Sequence, residues 1–215
     1  ADSTCSRDLL LDLPRPTKYH EPYISVFDST QRWKQGHSQR SKLISILSDR
    51  FGHHLHVYGA GSGRTLSTKL EALSKYKYHL AIENQILPYV VTEKLIDPLL
   101  AYTVPIYAGG HLPEAIDHCT LKIDISSIDS VSRCIENLIQ DDPYINIQGQ
   151  LQQARNYILT DHNILKRMES IATHHIQAIP ASEDSCIRTL YPLDSFHQSY
   201  LSANSILNRL RNKFF

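Results

Sequence analysis

Two basic side chains fall at predicted helix starts, where cations are ordinarily disfavoured. Arg40 lies in the first turn of a helix predicted to begin at Ser38, and Lys94 in the first turn of one predicted to begin at Thr92. A helix N-terminus carries about half a positive charge, so a cation there costs about 0.3–1 kcal/mol. Either cation alone is better explained as a solvated surface residue. Because free N–H groups and two cations could converge on one anion, the pair favours a phosphate site.

Polar residues near these cations could contact ligand hydroxyls. Glu83 and Asn84 end an apolar strand, and Glu93 directly precedes Lys94. A local cap or turn is the alternative for Glu83 and Asn84, and Glu93 could simply complement the helix dipole. The glycine-rich segment 59–63 resembles a phosphate loop, but it lacks the GxGxxG spacing and the Walker lysine. A flexible loop is therefore its default interpretation.

Metal and acyl-transfer sites are not predicted. The chain contains no HExxH, no DxD triplet and no GxSxG, and its adjacent histidine pairs do not share a helix face. Its four cysteines, Cys5, Cys119, Cys134 and Cys186, show no CxxC spacing. We therefore expect no metal and no cofactor, and a bound diphosphate would be neutralised by Arg40, Lys94 and helix ends.

Short apolar runs alternate with helical patterns along most of the chain. Helices are predicted to start near residues 38, 68, 92 and 130, to fill most of 144–175, and to recur at 198–213. Strands are predicted at the following ranges: 23–27, 54–59, 78–84, 104–110 and 121–125. This alternation predicts an α/β fold, a Rossmann-like parallel sheet covered by helices. Right-handed crossovers then place all strand carboxyl ends at one ligand-binding edge.

The remaining sequence features concern domain organisation, possible partners and cellular location. Residues 1–24 contain three prolines and are interpreted as a linker, residues 25–175 as one domain, and residues 176–215 as a tail with an amphipathic helix. That helix, ending RLRNKFF, could touch an anionic membrane peripherally or pack on the domain. With 22 basic and 22 acidic residues the net charge is zero, which argues against nucleic-acid binding. No signal or membrane span is visible, so a cytoplasmic location is expected, or the Golgi if an N-terminal anchor is missing from this chain.

The middle of the chain resembles a known family. The stretch KYHLAIENQILPYVVTEKLIDPLLAYTVPIYAGG, residues 77–110, is similar to the signature of the family 10 glycosyltransferases, the α-1,3/1,4-fucosyltransferases. Residues 36–59 resemble the family's arginine-bearing helix and following strand, and the likeness extends over about residues 25–170. The resemblance implies the C-terminal, donor-binding half of a GT-B enzyme, which would bind GDP-fucose and transfer fucose with inversion to a glycan hydroxyl.

Matched residue by residue, the resemblance implies that Arg40 and Lys94 hold the diphosphate. Glu83, Asn84 and Glu93 would contact sugar or ribose hydroxyls, and no catalytic base is assigned. The family tyrosine four residues before the lysine falls on Val90 here, with Tyr89 one place early.

Two further departures bear on function. The segment AGGHLPEA departs from the family's spacing after the strand. The first 24 residues are too few for the family's N-terminal acceptor domain, so a donor-domain fragment or truncated homologue is expected. The alternatives are a non-catalytic nucleotide-sugar-binding or interaction module, or a transferase that uses another nucleotide sugar.

Overall fold

Five short strands and seven helices make up the part of the chain that the structure describes. The computed structural model describes residues 10, 12–19, 24–28, 35–59, 62, 68–161 and 164–178. The strands are β1 (Ile24–Phe27), β2 (Leu55–Tyr58), β3 (Tyr78–Ile82), β4 (Val104–Ala108) and β5 (Leu121–Lys122). The helices are α1 (Gln35–Phe51), α2 (Lys69–Ser74), α3 (Glu93–Leu100), α4 (Glu114–Asp117), α5 (Ile128–Asp141), α6 (Tyr144–Leu159) and α7 (Ile164–Ala178), with a 3₁₀ turn at Gly52–His54.

All strand pairs in the sheet are parallel, and the strand order is β2-β1-β3-β4-β5. In the central pair Ile24 lies beside Tyr78 and Val26 beside Leu80. The chain runs outward from β1 to β2, then returns to β3 on the other side of β1. The order therefore reverses between β1 and β3, and ligands bind such sheets outside the strand carboxyl ends at this reversal.

The core lies on both faces of the central strands. Every residue of β3 and of β4 is buried. A strand buried on both faces needs a continuous apolar run instead of an alternating one, and both sequences, YHLAI and VPIYA, are of this kind. The buried face of α3 contributes Leu95 and Leu99 to the same core. The sheet is thus covered by helices, and the predicted α/β, Rossmann-like parallel fold is confirmed.

The predicted element boundaries need several corrections. Helix α1 begins at Gln35 instead of after Ser38, so Ser38 lies inside the helix, where a serine costs at most about 0.7 kcal/mol. The predicted helix 144–175 is two helices, α6 and α7. Helix α4 was not predicted, since four residues show no periodicity. Met168 and Ile171 are exposed, so the apolar residues of α7 do not all face the core.

The chain divides into two compact units, Ala1–Glu169 and Ser170–Phe215. The second is described only at its start, and the predicted helix at 198–213 lies outside the described residues. Within the described ranges, no helix has the length and apolar character needed to cross a membrane.

Candidate functional site

An open cavity of about 400 Å³ lies at the reversal point of the sheet. Asp28 follows β1 and Asn84 follows β3, so both lie at strand carboxyl ends. The cavity is also lined by Arg40 from α1 and by Glu93 and Lys94 from the first turn of α3. Its volume lies within the roughly 300–1,000 Å³ typical of small-ligand sites.

Arg40 is a buried cation held between the ends of the two central strands. Its side chain donates to Oδ1 of Asn84 at 3.1 Å, and a second guanidinium nitrogen lies 3.8 Å from Oδ1 of Asp28. Ser41 Oγ donates to the same Asp28 oxygen at 2.7 Å, which fixes the carboxylate. Burial lowers the pKa of Arg40, against the opposing effect of Asp28 and Glu83. The guanidinium nevertheless stays charged, and its Nε has no hydrogen-bond partner within the described part of the chain.

The predicted first-turn position of Arg40 is wrong. Because α1 starts at Gln35, Arg40 is the sixth residue of the helix, more than one turn from its N-terminus. The helix dipole acts only within the first turn, so it does not set the energy of this cation. The energetic cost at Arg40 is desolvation, and it is offset by the contacts with Asp28 and Asn84.

The start of α3 is tied to the end of β3 through Glu83. Thr92 is the N-cap, as the sequence predicts, and its hydroxyl accepts from the backbone N–H of Lys94. Thr92 Oγ1 lies 2.8 Å from both oxygens of Glu83, to which it donates, and the Thr92 N–H donates to Oε1 at 3.2 Å. Lys94 Nζ lies 3.7 Å from Oε2 of Glu83. The buried carboxylate therefore fixes both the helix start and its lysine.

Lys94 and Glu93 lie together at the edge of the cavity. Lys94 Nζ is 3.2 Å from Oε1 of Glu93, and its side chain remains 22% exposed. Burial opposes ionisation of Glu93, but hydrogen bonds from its own N–H and from Lys94 lower its pKa overall. The first turn of α3 thus presents one cation and one charged carboxylate to the same cavity.

The five predicted site residues are close neighbours, although they do not all face one space. Arg40, Asn84, Glu93 and Lys94 line the first cavity. Glu83 instead lines a second cavity of about 380 Å³, which shares Arg40 and Asn84 with the first. The hydrogen-bonded pair of Arg40 and Asn84 therefore borders both spaces.

Sequence reasoning missed several polar cavity residues. Asp28 directly follows a short strand, and this position at a strand end could have identified it as a candidate site residue. His79 lies inside β3, where Ser25 Oγ and His79 Nδ1 are 2.8 Å apart and the Phe27 ring is 4.8 Å away. Burial, with Arg40 and Lys69, lowers the pKa of His79 to about 3, so the imidazole is neutral. No local signal marks Asp97, which lines the cavity one turn after Glu93.

In the glycine-rich segment 59–63, the backbone conformation explains why the first residue is glycine. Gly59 has φ of +130°, and a Cβ there would overlap the carbonyl oxygen of Asp28. Glycine is therefore required where this loop leaves β2 beside the cavity. Residues 60, 61 and 63 lie outside the described residues, so the comparison with a phosphate loop stays untested.

Tyr89, next to the family tyrosine position, points away from the cavity lining. Its side chain is 84% exposed and its ring lies 5.4 Å from that of His111. The His111 N–H donates to the Pro88 carbonyl at 2.7 Å, which fixes the loop. Within the described residues no group of three potential metal ligands converges.

Comparison with known proteins places these residues in a family domain. The family model described as glycosyltransferase family 10 (fucosyltransferase) C-term matches residues 24–145. A protein of Acanthamoeba polyphaga mimivirus, described as a candidate fucosyltransferase, is 32% identical over 90 residues, covering 36% of this chain and 15% of the relative.

The solved structures that partly match this chain include a crystal structure of an α1,3-fucosyltransferase, 20% identical with a TM-score of 0.48. The alignment covers 69% of this chain and 47% of that chain. An α1,3-fucosyltransferase with GDP-fucose is 19% identical with a TM-score of 0.47, covering 69% and 49%. The glycotransferase of kitacinnamycin is 12% identical with a TM-score of 0.38, covering 75% and 45%. This chain spans less than half the length of each of these proteins.

Proposed function

The chain belongs to glycosyltransferase family 10, and we propose that residues 25–175 form the donor-binding domain of a fucosyltransferase. In this proposal the cavity at the β1–β3 reversal binds GDP-fucose. The fucose is transferred with inversion to a hydroxyl of a glycan acceptor. In this proposal Arg40, Lys94 and helix ends neutralise the diphosphate, and we expect no metal ion or cofactor.

The observation that carries this proposal is the convergence of two cations on one cavity. Arg40 and Lys94 come from helices that follow different strands, yet both line the same space. Lys94 also lies in the first turn of α3, where the helix dipole favours an anion. Two converging cations favour a phosphate ligand, because each can donate charge-assisted hydrogen bonds to its oxygens.

Carboxylate and amide groups around the cations suit the hydroxyls of a nucleotide sugar. Asn84 has an amide nitrogen free to donate, since its oxygen already accepts from Arg40. Glu93 is charged and half exposed, so it can accept from ribose or fucose hydroxyls. A hydroxyl contact by Glu83 stays a prediction, because its carboxylate already accepts from the N–H and from the single hydroxyl hydrogen of Thr92.

In the proposed reaction the acceptor hydroxyl attacks the anomeric carbon of fucose while the bond to the GDP oxygen breaks. Negative charge then develops on the leaving diphosphate, and Arg40 and Lys94 would stabilise it in the transition state. The acceptor proton passes to a general base, a role that we assign to no residue of this chain.

Calorimetry with GDP, UDP and GDP-fucose tests the proposal. We expect GDP and GDP-fucose to bind, and Lys94→Ala to weaken GDP binding about 10- to 100-fold, which corresponds to about 1.5–3 kcal/mol for a charge-assisted bond. Lys42→Ala is the matched control, since Lys42 is exposed on α1 and does not line the cavity. An unchanged affinity in Lys94→Ala would remove this residue from the site. Absence of GDP binding at millimolar concentration would refute the donor site.

The same measurements separate the alternative functions. Tighter binding of UDP than of GDP would indicate a transferase with another donor. Binding of GDP-fucose without transfer to any glycan would indicate a non-catalytic nucleotide-sugar-binding module. We further propose peripheral membrane contact through residues 198–213, which co-sedimentation with anionic vesicles tests, and a cytoplasmic or Golgi location, which imaging of the tagged chain tests.

A further inference from the structure

The cavity extends well beyond the two cations. Its lining also includes Phe27 and His79 from the central strands and Tyr58 at the end of β2. The Phe27 ring lies 4.8 Å from that of His79 and 6.3 Å from that of Tyr58. Pro98 of α3 lines the same region. Aromatic and apolar walls of this kind suit a flat heterocyclic ring better than a phosphate or a sugar.

Asp97 adds a carboxylate from α3 to this lining. Residues 93 and 97 are one turn apart and share a face of α3, so Glu93 and Asp97 both border the cavity. Helix geometry places Asp97 about 4.5 Å further along the α3 axis than Lys94. The first turns of α3 therefore present Glu93 and Lys94 side by side and a second carboxylate one turn further along the helix.

Asp97 is only weakly paired among the described residues. Its Oδ2 lies 3.9 Å from Nζ of Lys69, a distance at which the pair is only loosely bonded. No hydrogen-bond donor among the described residues contacts this carboxylate. Its side chain is 35% exposed, so the acceptor capacity is accessible from the cavity. A carboxylate at this position can accept hydrogen bonds from a ligand that carries N–H donors on one edge.

We propose that Asp97 is the residue that selects the nucleobase, accepting from N1–H and from the N2 amino group of guanine. The inference rests on the proposed function, because it requires the diphosphate at Arg40 and Lys94. Guanine presents two adjacent N–H donors to a carboxylate, whereas uracil presents one. A site built around a hydrogen-bond acceptor discriminates strongly against ligands that lack the matching donors.

The decisive experiment exchanges the hydrogen-bonding groups both on the protein side chain and on the nucleobase. Asp97→Asn keeps the side-chain shape but replaces one acceptor by a donor, which matches the O2 carbonyl of xanthine. We expect wild type to bind GDP at least tenfold more tightly than xanthosine diphosphate. We expect Asp97→Asn to lose about 10- to 100-fold in GDP affinity and to prefer xanthosine diphosphate. Asp49→Asn, on the exposed side of α1, is the control that should keep the wild-type order.

A second measurement needs no variant. Inosine diphosphate lacks only the N2 amino group, and wild type should bind it about tenfold more weakly than GDP. If inosine and guanosine diphosphates bind equally, Asp97 does not select the base. If Asp97→Asn weakens GDP, xanthosine diphosphate and pyrophosphate alike, its role is structural and the inference is overturned. If wild type binds none of these diphosphates, the proposed function fails and this inference fails with it.

Discussion

The buried histidine in the central strand leads to a quantitative prediction about acid stability. His79 is 3% exposed, and burial together with Arg40 and Lys69 lowers its pKa to about 3. In the unfolded chain a histidine has a pKa of about 6.5. Between these values the unfolded state binds a proton that the folded state does not. The contribution of neutral His79 to the free energy of unfolding is therefore fully present above about pH 6.5 and is lost as the pH falls toward 3.

The size of this effect follows from the difference between the two pKa values. Each pH unit in the window costs about 1.4 kcal/mol, so lowering the pH from 7 to 5 should remove about 2 kcal/mol through His79 alone. His79→Gln retains a polar side chain that can bond to Ser25 but has no titrating group. The variant should therefore lose about 2 kcal/mol less than wild type over the same interval.

Urea unfolding at pH 7 and pH 5, followed by circular dichroism, measures this difference. All other histidines are common to both proteins, so comparison of the two pH-dependent losses isolates His79. His118→Gln is the control, because His118 is 62% exposed on the protein surface. The reasoning is refuted if wild type and His79→Gln lose the same free energy of unfolding between pH 7 and pH 5.

Two further predictions concern the positions that shape the site. Thr92→Val removes the N-cap and the hydroxyl bond to Glu83, so the free energy of unfolding should fall by about 2–4 kcal/mol, measured by urea unfolding. An unchanged stability would show that this hydroxyl is dispensable. Gly109→Ala should destabilise by about 1–3 kcal/mol because its Cβ would overlap the Tyr107 hydroxyl. Gly149→Ala, in open space on α6, should instead stabilise by about 0.5–1 kcal/mol in thermal melts, and equal effects would contradict the packing argument.

Much of the fold could be predicted because its central strands carry strong local signals. The runs YHLAI and VPIYA are apolar on both faces, which few structures other than a central parallel strand accommodate. Element ends were predicted less well. Residues 144–175 have one periodicity, but the chain turns near Thr160, and no proline or glycine in 159–163 marks that break.

The predictable part of the site is the part built from neighbours in sequence. Thr92 caps α3 and Lys94 follows in the first turn, so local rules suffice for both. Asp28 and His79 depend on the pairing of β1 with β3, which brings Ser25 beside His79. That pairing joins residues 54 positions apart, and no window of the sequence contains it. Likewise, Asp97 can be identified as a cavity residue only when the arrangement of the strands and helices around it is known.

Arg40 lines the same cavity as Lys94, as expected, although the local argument that placed it at a helix start was incorrect. The residue was expected at a helix N-terminus, yet it lies in the second turn, where the dipole has little effect. It still reaches the cavity, because α1 follows β1 and brings Arg40 to within bonding distance of Asp28 and Asn84. The energy of Arg40 is thus set by burial and by these two partners. An anion at this site would be recognised mainly by the buried guanidinium of Arg40 on one side and by Lys94 in the first turn of α3 on the other.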